Sequence, residues 1–229
     1  MHMMKGILFD FNGTLYDDTR FHVAAWTRYF HEAHGIDFTR EEVRRRFMGP
    51  DNEMIFRDVF GNDITEEQID AWSSGKEAMY RAAASATPEN LQLMEGASQM
   101  FDELVRRGIP FALATSSRMD NIRFYMNDLG LKKWFTMDRV VYIDGRIAPK
   151  PDPAFYTEAA HRIGLEPADC IVVEDSKSGI QGAVNAGAGR IIAIDRTLGA
   201  DCLAEMPEVY ASIHDFYQFM RFIPLMQNL

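Results

Sequence analysis

Short apolar runs rich in β-branched residues punctuate the chain at Gly6–Asp10, Pro110–Ala114, Arg139–Ile143, Cys170–Glu174 and Arg190–Ile194. Helical patterns separate them in the second half, and alternation of that kind predicts an α/β fold with a parallel sheet covered by helices on both faces. Between Asp17 and Thr87 the pattern changes. Phe21, Ala25, Phe30 and Ala33 recur at helical spacing, as do Ile55, Val59 and Phe60, with almost no strand signal. This predicts a small helical cap over residues 17–87, inserted into a discontinuous core of residues 1–16 and 88–229, with Thr87-Pro88-Glu89-Asn90 as the returning linker. Ligands of open α/β sheets bind beyond the carboxyl ends of the strands, so an insert leaving the first strand there reads as a lid. A last stripe of Phe216, Phe219, Met220 and Phe222 reads as core, with an exposed dimerising patch as the alternative.

Composition narrows the function classes. A chain of 229 residues with 47% hydrophobic content can bury one substantial core plus an insert. The formal net charge of −10 and the lack of a basic run argue against a nucleic-acid partner. Cys170 and Cys202 form no disulfide framework or paired ligand spacing, and both read as reduced core residues. The apolar run before Asp10 is too short for a signal peptide or a membrane span, so a cytoplasmic protein without a membrane partner is expected.

Four polar clusters fall at or just beyond strand ends: Asp10 through Thr14, Thr115-Ser116-Ser117, Lys150-Pro151, and Glu174-Asp175-Ser176. Taken singly, Thr115-Ser116-Ser117 could cap the following helix and Lys150 could be a solvated charge. Together they are complementary. Asp10 and Asp175 offer hard oxygen ligands for Mg²⁺, and Glu174 offers another ligand or an acceptor behind them. Hydroxyl and backbone N–H groups at Thr115 and Ser116, with the Lys150 ammonium, suit phosphoryl oxygens and the charge that develops on them. Asp10 is then placed to attack phosphorus.

In this order the motifs Asp10–Thr14, Thr115, Lys150 and Glu174-Asp175 resemble those of the haloacid dehalogenase superfamily, over essentially the whole chain. The resemblance implies a Rossmann-like core with a helical cap and an aspartyl-phosphate intermediate on Asp10. It also implies Mg²⁺ held by Asp10, the Asn12 carbonyl oxygen and Asp175, with Glu174 beside them. Asp17, His22 and Trp26, together with Ala112 through Arg118, look closest to the β-phosphoglucomutase and sugar-phosphatase branch. Gly13, Ser116, Ser117, Arg118, His22 and Asn52 become the substrate- and phosphate-binding candidates.

Two departures change the expectation. Asn52, in Gly49-Pro50-Asp51-Asn52-Glu53, stands where the mutase carries an Arg for a distal phosphate, and a neutral amide cannot replace that fork. Asn12 stands where the family carries a second Asp that shuttles protons, a role worth about 10²–10⁴-fold. The expected function is a Mg²⁺-dependent phosphatase of a small sugar phosphate, slowed by Asn12 and acting as a monomer or weak homodimer.

The alternatives are a sugar-phosphate mutase and a non-catalytic binder of phosphorylated ligands. Metal-free dehalogenation conflicts with the acidic pair Glu174-Asp175. Phosphonate cleavage conflicts with Lys76, the only lysine of the insert, which reads as lying well away from the Gly49 loop. Arg44-Arg45-Arg46 reads as a solvated helix face, and Asn12-Gly13 as a sequence open to deamidation unless its turn is constrained.

Overall fold

A computed structural model describes residues 3–195 and 203–226. Cys202 therefore lies outside the described residues. The chain divides into two compact units, with boundaries at Asp17/Asp18 and Gln92/Leu93.

The first unit contains a six-stranded parallel sheet built from β1 (Gly6–Phe9), β2 (Phe111–Arg118), β3 (Val140–Ile143), β4 (Cys170–Glu174), β5 (Arg190–Ile194) and β6 (Ala211–Ile213), in the order β3-β2-β1-β4-β5-β6. This is the expected Rossmann-like α/β architecture. Every residue of β1 is buried, as a central strand covered on both faces requires. On one face Leu8, Ala112, Ala114, Val172, Ile191 and Ala193 pack against Phe155, Tyr156, Ile180 and Ala183. On the other, the Phe9 ring meets Phe101, Phe216 and Phe219 edge-on or tilted, at centroid distances of 5.4, 6.1 and 6.1 Å. Phe216, Phe219 and Phe222 are thus core, as expected, with Met220 half-buried beside them.

Two strand expectations need correction. β6 was not foreseen, because Ala-Ser-Ile is a three-residue edge strand with a single apolar side chain, Ile213, turned into the core. β2 runs four residues beyond Ala114, with a register irregularity between Ala114 and Arg118 against β3. Thr115-Ser116-Ser117 therefore lies in the strand, and the helix after it starts at Met119, with Arg118 in the cap position and no side-chain cap bond.

The second unit is helical, with α1 (Thr19–His34), α2 (Arg40–Phe47), α3 (Asn52–Phe60) and α4 (Glu66–Ala84). Reciprocal capping boxes, Thr39 with Glu42 and Thr65 with Gln68, start α2 and α4 and satisfy N–H groups that helix starts leave open. Trp26, Phe30, Phe47 and Phe56 form its aromatic centre. Phe21, Ala25 and Phe30 are buried as the periodicity predicts, whereas Ala33 is exposed in the last turn of α1. Arg44 and Arg45 are solvated, and Arg46 pairs with Asp58 at 2.7 Å.

The first unit also carries α5 (Ala97–Arg107), α6 (Met119–Asn127), α7 (Ala154–Arg162), α8 (Lys177–Asn185) and the short α9 (Phe216–Phe219). Cys170 is buried and free, and burial, assisted by Asp169 and Glu166, pushes its thiol up to about 12. That holds it protonated and inert. No helix among the described residues is long and apolar enough to cross a membrane.

Candidate active site

The carboxyl ends of the central strands β1 and β4 bring the acidic residues together. Asp10 follows β1 directly, and its backbone N–H donates to the Val173 carbonyl at 3.0 Å, which ties it to β4. Lys150 reaches both strands, donating to Asp10 Oδ1 at 2.6 Å and Glu174 Oε1 at 2.8 Å. Its side chain is only 7% exposed. Burial alone would depress the ammonium, but Asp10 and Glu174 outweigh that and raise it above its ordinary value. Lys150 is therefore a permanent buried cation, not a solvated charge.

Glu174 is the anchor of the site. Its two oxygens accept five hydrogen bonds, from Lys150, Tyr156, the backbone of Asp175, and the backbone and hydroxyl of Ser176. Burial would raise its pKa, yet Lys150 and these donors hold it below the usual value. Of its two sequence-based readings, direct ligand or acceptor behind the ligands, the saturated oxygens favour the second. Helix α8 packs against it so closely that a Cβ at Gly179 would overlap the carboxylate. Gly179→Ala is accordingly expected to cost about 1–3 kcal/mol and to displace Glu174 from Lys150, both readable by thermal melting and activity.

Asp175 stands differently. Thr14 Oγ1 donates to its Oδ1 at 2.9 Å, and Gly13, at φ 77°, passes so near that any Cβ would strike its carboxylate. Although Asp175 keeps an accessible edge, its protein surroundings, and then the charges of Glu174 and Asp10, raise its carboxyl well above the usual range. Ligand oxygens of Asp10, Glu174 and Asp175 all lie within 4.8 Å of one another. Three carboxylates facing one lysine leave unbalanced negative charge. An all-oxygen donor set of this charge fits a hard divalent cation such as Mg²⁺.

The hydroxyl cluster departs from expectation. Thr115 and Ser117 are buried, and both donate to Asn12 Oδ1, at 3.3 and 2.7 Å. The Ser117 hydroxyl thus serves Asn12, where a contact to phosphate was expected. Ser116 is exposed, and Arg118 is half-buried at the end of β2. Asn12 Nδ2 donates to the Tyr125 hydroxyl at 2.8 Å, so its amide, expected near a leaving group, is engaged on both sides.

His22 and Asn52 belong to the second unit and meet in a different cluster. Lys76, 2% exposed, approaches His22 Nδ1 at 2.9 Å and donates to Glu77 Oε1 at 2.8 Å. Asn52 Nδ2 donates to that same Glu77 oxygen at 2.9 Å. Lys76 is therefore not remote from the Gly49 loop: it shares an acceptor with Asn52, three residues beyond Gly49. Because an ammonium only donates, His22 Nδ1 is the acceptor, which leaves the proton on Nε2, 3.4 Å from Asp18 Oδ2. Tyr80 completes the chain by donating to Asp18 at 2.6 Å and stacking on His22 at 3.9 Å. Trp26 is a core residue of this unit, with Lys76 over its ring at 4.7 Å.

Sequence reasoning missed Tyr125, Tyr156, Tyr80 and Glu77. Each is one position on an amphipathic helix, and nothing in the spacing marks it apart from neighbouring core residues.

Fold and site together define a class: a Rossmann-like enzyme that gathers three carboxylates and one buried lysine at the carboxyl ends of its central strands. The sequence pattern of the haloacid dehalogenase-like hydrolases matches residues 7–193, and the chain belongs to that family. It is 30% identical over 199 residues to a phosphorylated carbohydrates phosphatase of Thermotoga maritima, covering 85% of this chain and 87% of that protein. It is 28% identical over 195 residues to the β-phosphoglucomutase of Bacillus subtilis, covering 80% of each. A haloacid dehalogenase hydrolase of Entamoeba histolytica, described as family IA variant 3, superposes with a TM-score of 0.87 at 29% identity, over 97% of this chain and 99% of that one. These likenesses agree with the β-phosphoglucomutase-like branch.

Proposed function

We propose that the protein is a Mg²⁺-dependent phosphatase of small phosphorylated sugars that works through an aspartyl phosphate on Asp10. The observation that carries this reading is the Lys150 bridge, which fixes and orients the Asp10 carboxylate at the carboxyl end of β1. An Asp10 oxygen attacks phosphorus, the ester P–O bond breaks, and the leaving alkoxide takes a proton from solvent to become the alcohol. Water then cleaves the acyl phosphate, releasing inorganic phosphate and restoring Asp10. Lys150 stays charged throughout and offsets negative charge on the transferred group. Asp10 and Asp175 would hold the cation, which when bound neutralises phosphoryl oxygens. The carbohydrate-phosphatase relative supports a sugar ester as substrate.

Asn12 neither donates a proton to an alkoxide nor takes one from water, so esters with good leaving groups are favoured. Aryl phosphates are expected to show a kcat/KM for Mg²⁺-dependent phosphate release about 10²-fold or more above that of alkyl sugar phosphates. Equal rates across leaving groups would contradict this. The mutase alternative is weaker, because Asn52 is uncharged and its amide is already committed to Glu77.

Mg²⁺ at a hundredfold excess over its dissociation constant is expected to add about 2.7 kcal/mol of stability, read as a higher melting temperature. The sign of the pH dependence follows from Asp175. Its raised folded pKa means that protons and cation compete for the same oxygens, so the Mg²⁺ effect shrinks as pH falls through that raised value. Without metal the same group makes stability fall as pH rises from the ordinary carboxylate value, about 3.9, toward the raised one. Melting curves with Mg²⁺ or a chelator across pH test both statements.

A further inference from the structure

Asn12 is followed by Gly13, a pair that in a flexible chain readily loses its side-chain amide. The Gly13 nitrogen, having given up its proton, attacks the Asn12 side-chain carbon, ammonia leaves, and water opens the resulting succinimide to Asp or isoAsp. In this fold three hydrogen bonds close a ring around the amide. Asn12 Nδ2 donates to the Tyr125 hydroxyl at 2.8 Å, and Ser117 Oγ donates to Asn12 Oδ1 at 2.7 Å. Tyr125 and Ser117 are 3.0 Å apart, oxygen to oxygen. Since the Ser117 proton goes to Asn12, Tyr125 is the donor in that contact, and within the ring each member gives one proton and accepts one, while Thr115 adds a longer donation to Asn12 Oδ1 at 3.3 Å. Tyr125 is fully buried and its ring is stacked on Phe11 at 4.0 Å, so the hydroxyl is held in place. The Gly13 N–H is also occupied, donating to the Tyr16 carbonyl at 2.8 Å.

We propose that Tyr125 and Ser117 are positioning residues that hold Asn12 as an amide, oriented by a ring that an ionised carboxylate cannot complete and shielded from conversion to Asp by Gly13. Asn12 is on this view the partner the ring is built for. A carboxylate at position 12 accepts only, so both hydroxyl protons turn toward it, and the 3.0 Å contact between Ser117 and Tyr125 is left without a proton. The ring thus distinguishes Asn from an ionised Asp by donor count alone, whether or not the phosphatase reading stands.

The experiment compares the native chain with Tyr125→Phe and Ser117→Ala, reading position 12 by peptide mapping and each fold by its melting curve. Incubated folded at mildly alkaline pH, native protein is expected to keep Asn12, while Tyr125→Phe and Ser117→Ala form Asp and isoAsp about tenfold faster. In urea the native chain is expected to deamidate in proportion to its unfolded fraction. Melting supplies the check on the fold: Tyr125→Phe lowers the native midpoint by about 4 °C, and both variants stay folded at the incubation temperature. A folded native protein that deamidates as fast as the urea-unfolded chain would overturn the proposal. So would folded Tyr125→Phe and Ser117→Ala proteins that keep Asn12 as long as the native protein does.

Discussion

Asp10→Asn is expected to lower phosphate release by about 10⁴-fold or more, the scale on which hydrolases lose turnover with their nucleophile, while the metal-free fold melts no earlier than the native protein. The two halves have one cause. Asp10 is one of three carboxylate residues whose ligand oxygens lie within 4.8 Å of one another, and its charge is among the forces that hold the Asp175 carboxyl above its usual range. Removing it deletes the group that bonds to phosphorus and also relieves repulsion within the site. An inactive variant of undiminished stability is an unusual combination, since most substitutions of buried residues destabilise. A stable Asp10→Asn protein that still released phosphate would mean that another group carries the reaction.

Lys150→Met should fail in the opposite way, losing stability together with activity. The side chain is 7% exposed and is the cation shared by Asp10 and Glu174. Without it those carboxylates are buried with no counter-charge, a situation that costs about 3–5 kcal/mol. In a chain of this size that corresponds to a fall of roughly 10 °C in melting temperature. The loss is greatest without metal and is reduced by Mg²⁺, which replaces part of the missing charge. Asp10→Asn/Lys150→Met should recover part of the stability, because one fewer negative charge then lacks a partner, and none of the activity. Equal melting temperatures for native and Lys150→Met proteins would show that the bridge is energetically idle.

What could be read from the chain depended on how local the determining physics is. β1, β4 and β5 are apolar runs buried on both faces, so composition alone locates them, and the chemistry-bearing residues follow because ligand sites lie at their carboxyl ends. β6 could not be read, since an edge strand with one buried side chain carries almost no hydrophobic signal. Thr115-Ser116-Ser117 reads as phosphate-binding hydroxyls or, taken singly, as a helix cap, and neither reading contains a strand. Pairing with β3, a tertiary contact, keeps the backbone extended through Arg118 instead.

The partners of Asn12 show the same limit. Its position two residues after Asp10 marks it as chemically consequential, but Tyr125 is 113 residues away and only the folded sheet and α6 bring it within 2.8 Å. Lys76 is 54 residues from His22, and their contact likewise depends on how α1 packs against α4. Sequence spacing also ranked Glu174 with the metal ligands, whereas the five donors around it mark it as the site's internal brace.

The most direct test of the central claim is a pulse of acetyl phosphate with Mg²⁺, followed by borohydride reduction and peptide mapping. Reduction turns an aspartyl phosphate into homoserine and so marks the nucleophile permanently. The account predicts homoserine at position 10, none in Asp10→Asn, and a phosphoryl group that outlasts the pulse because Asn12 supplies no base to activate water. Label at any other residue, or phosphate release with no label at position 10, would contradict it.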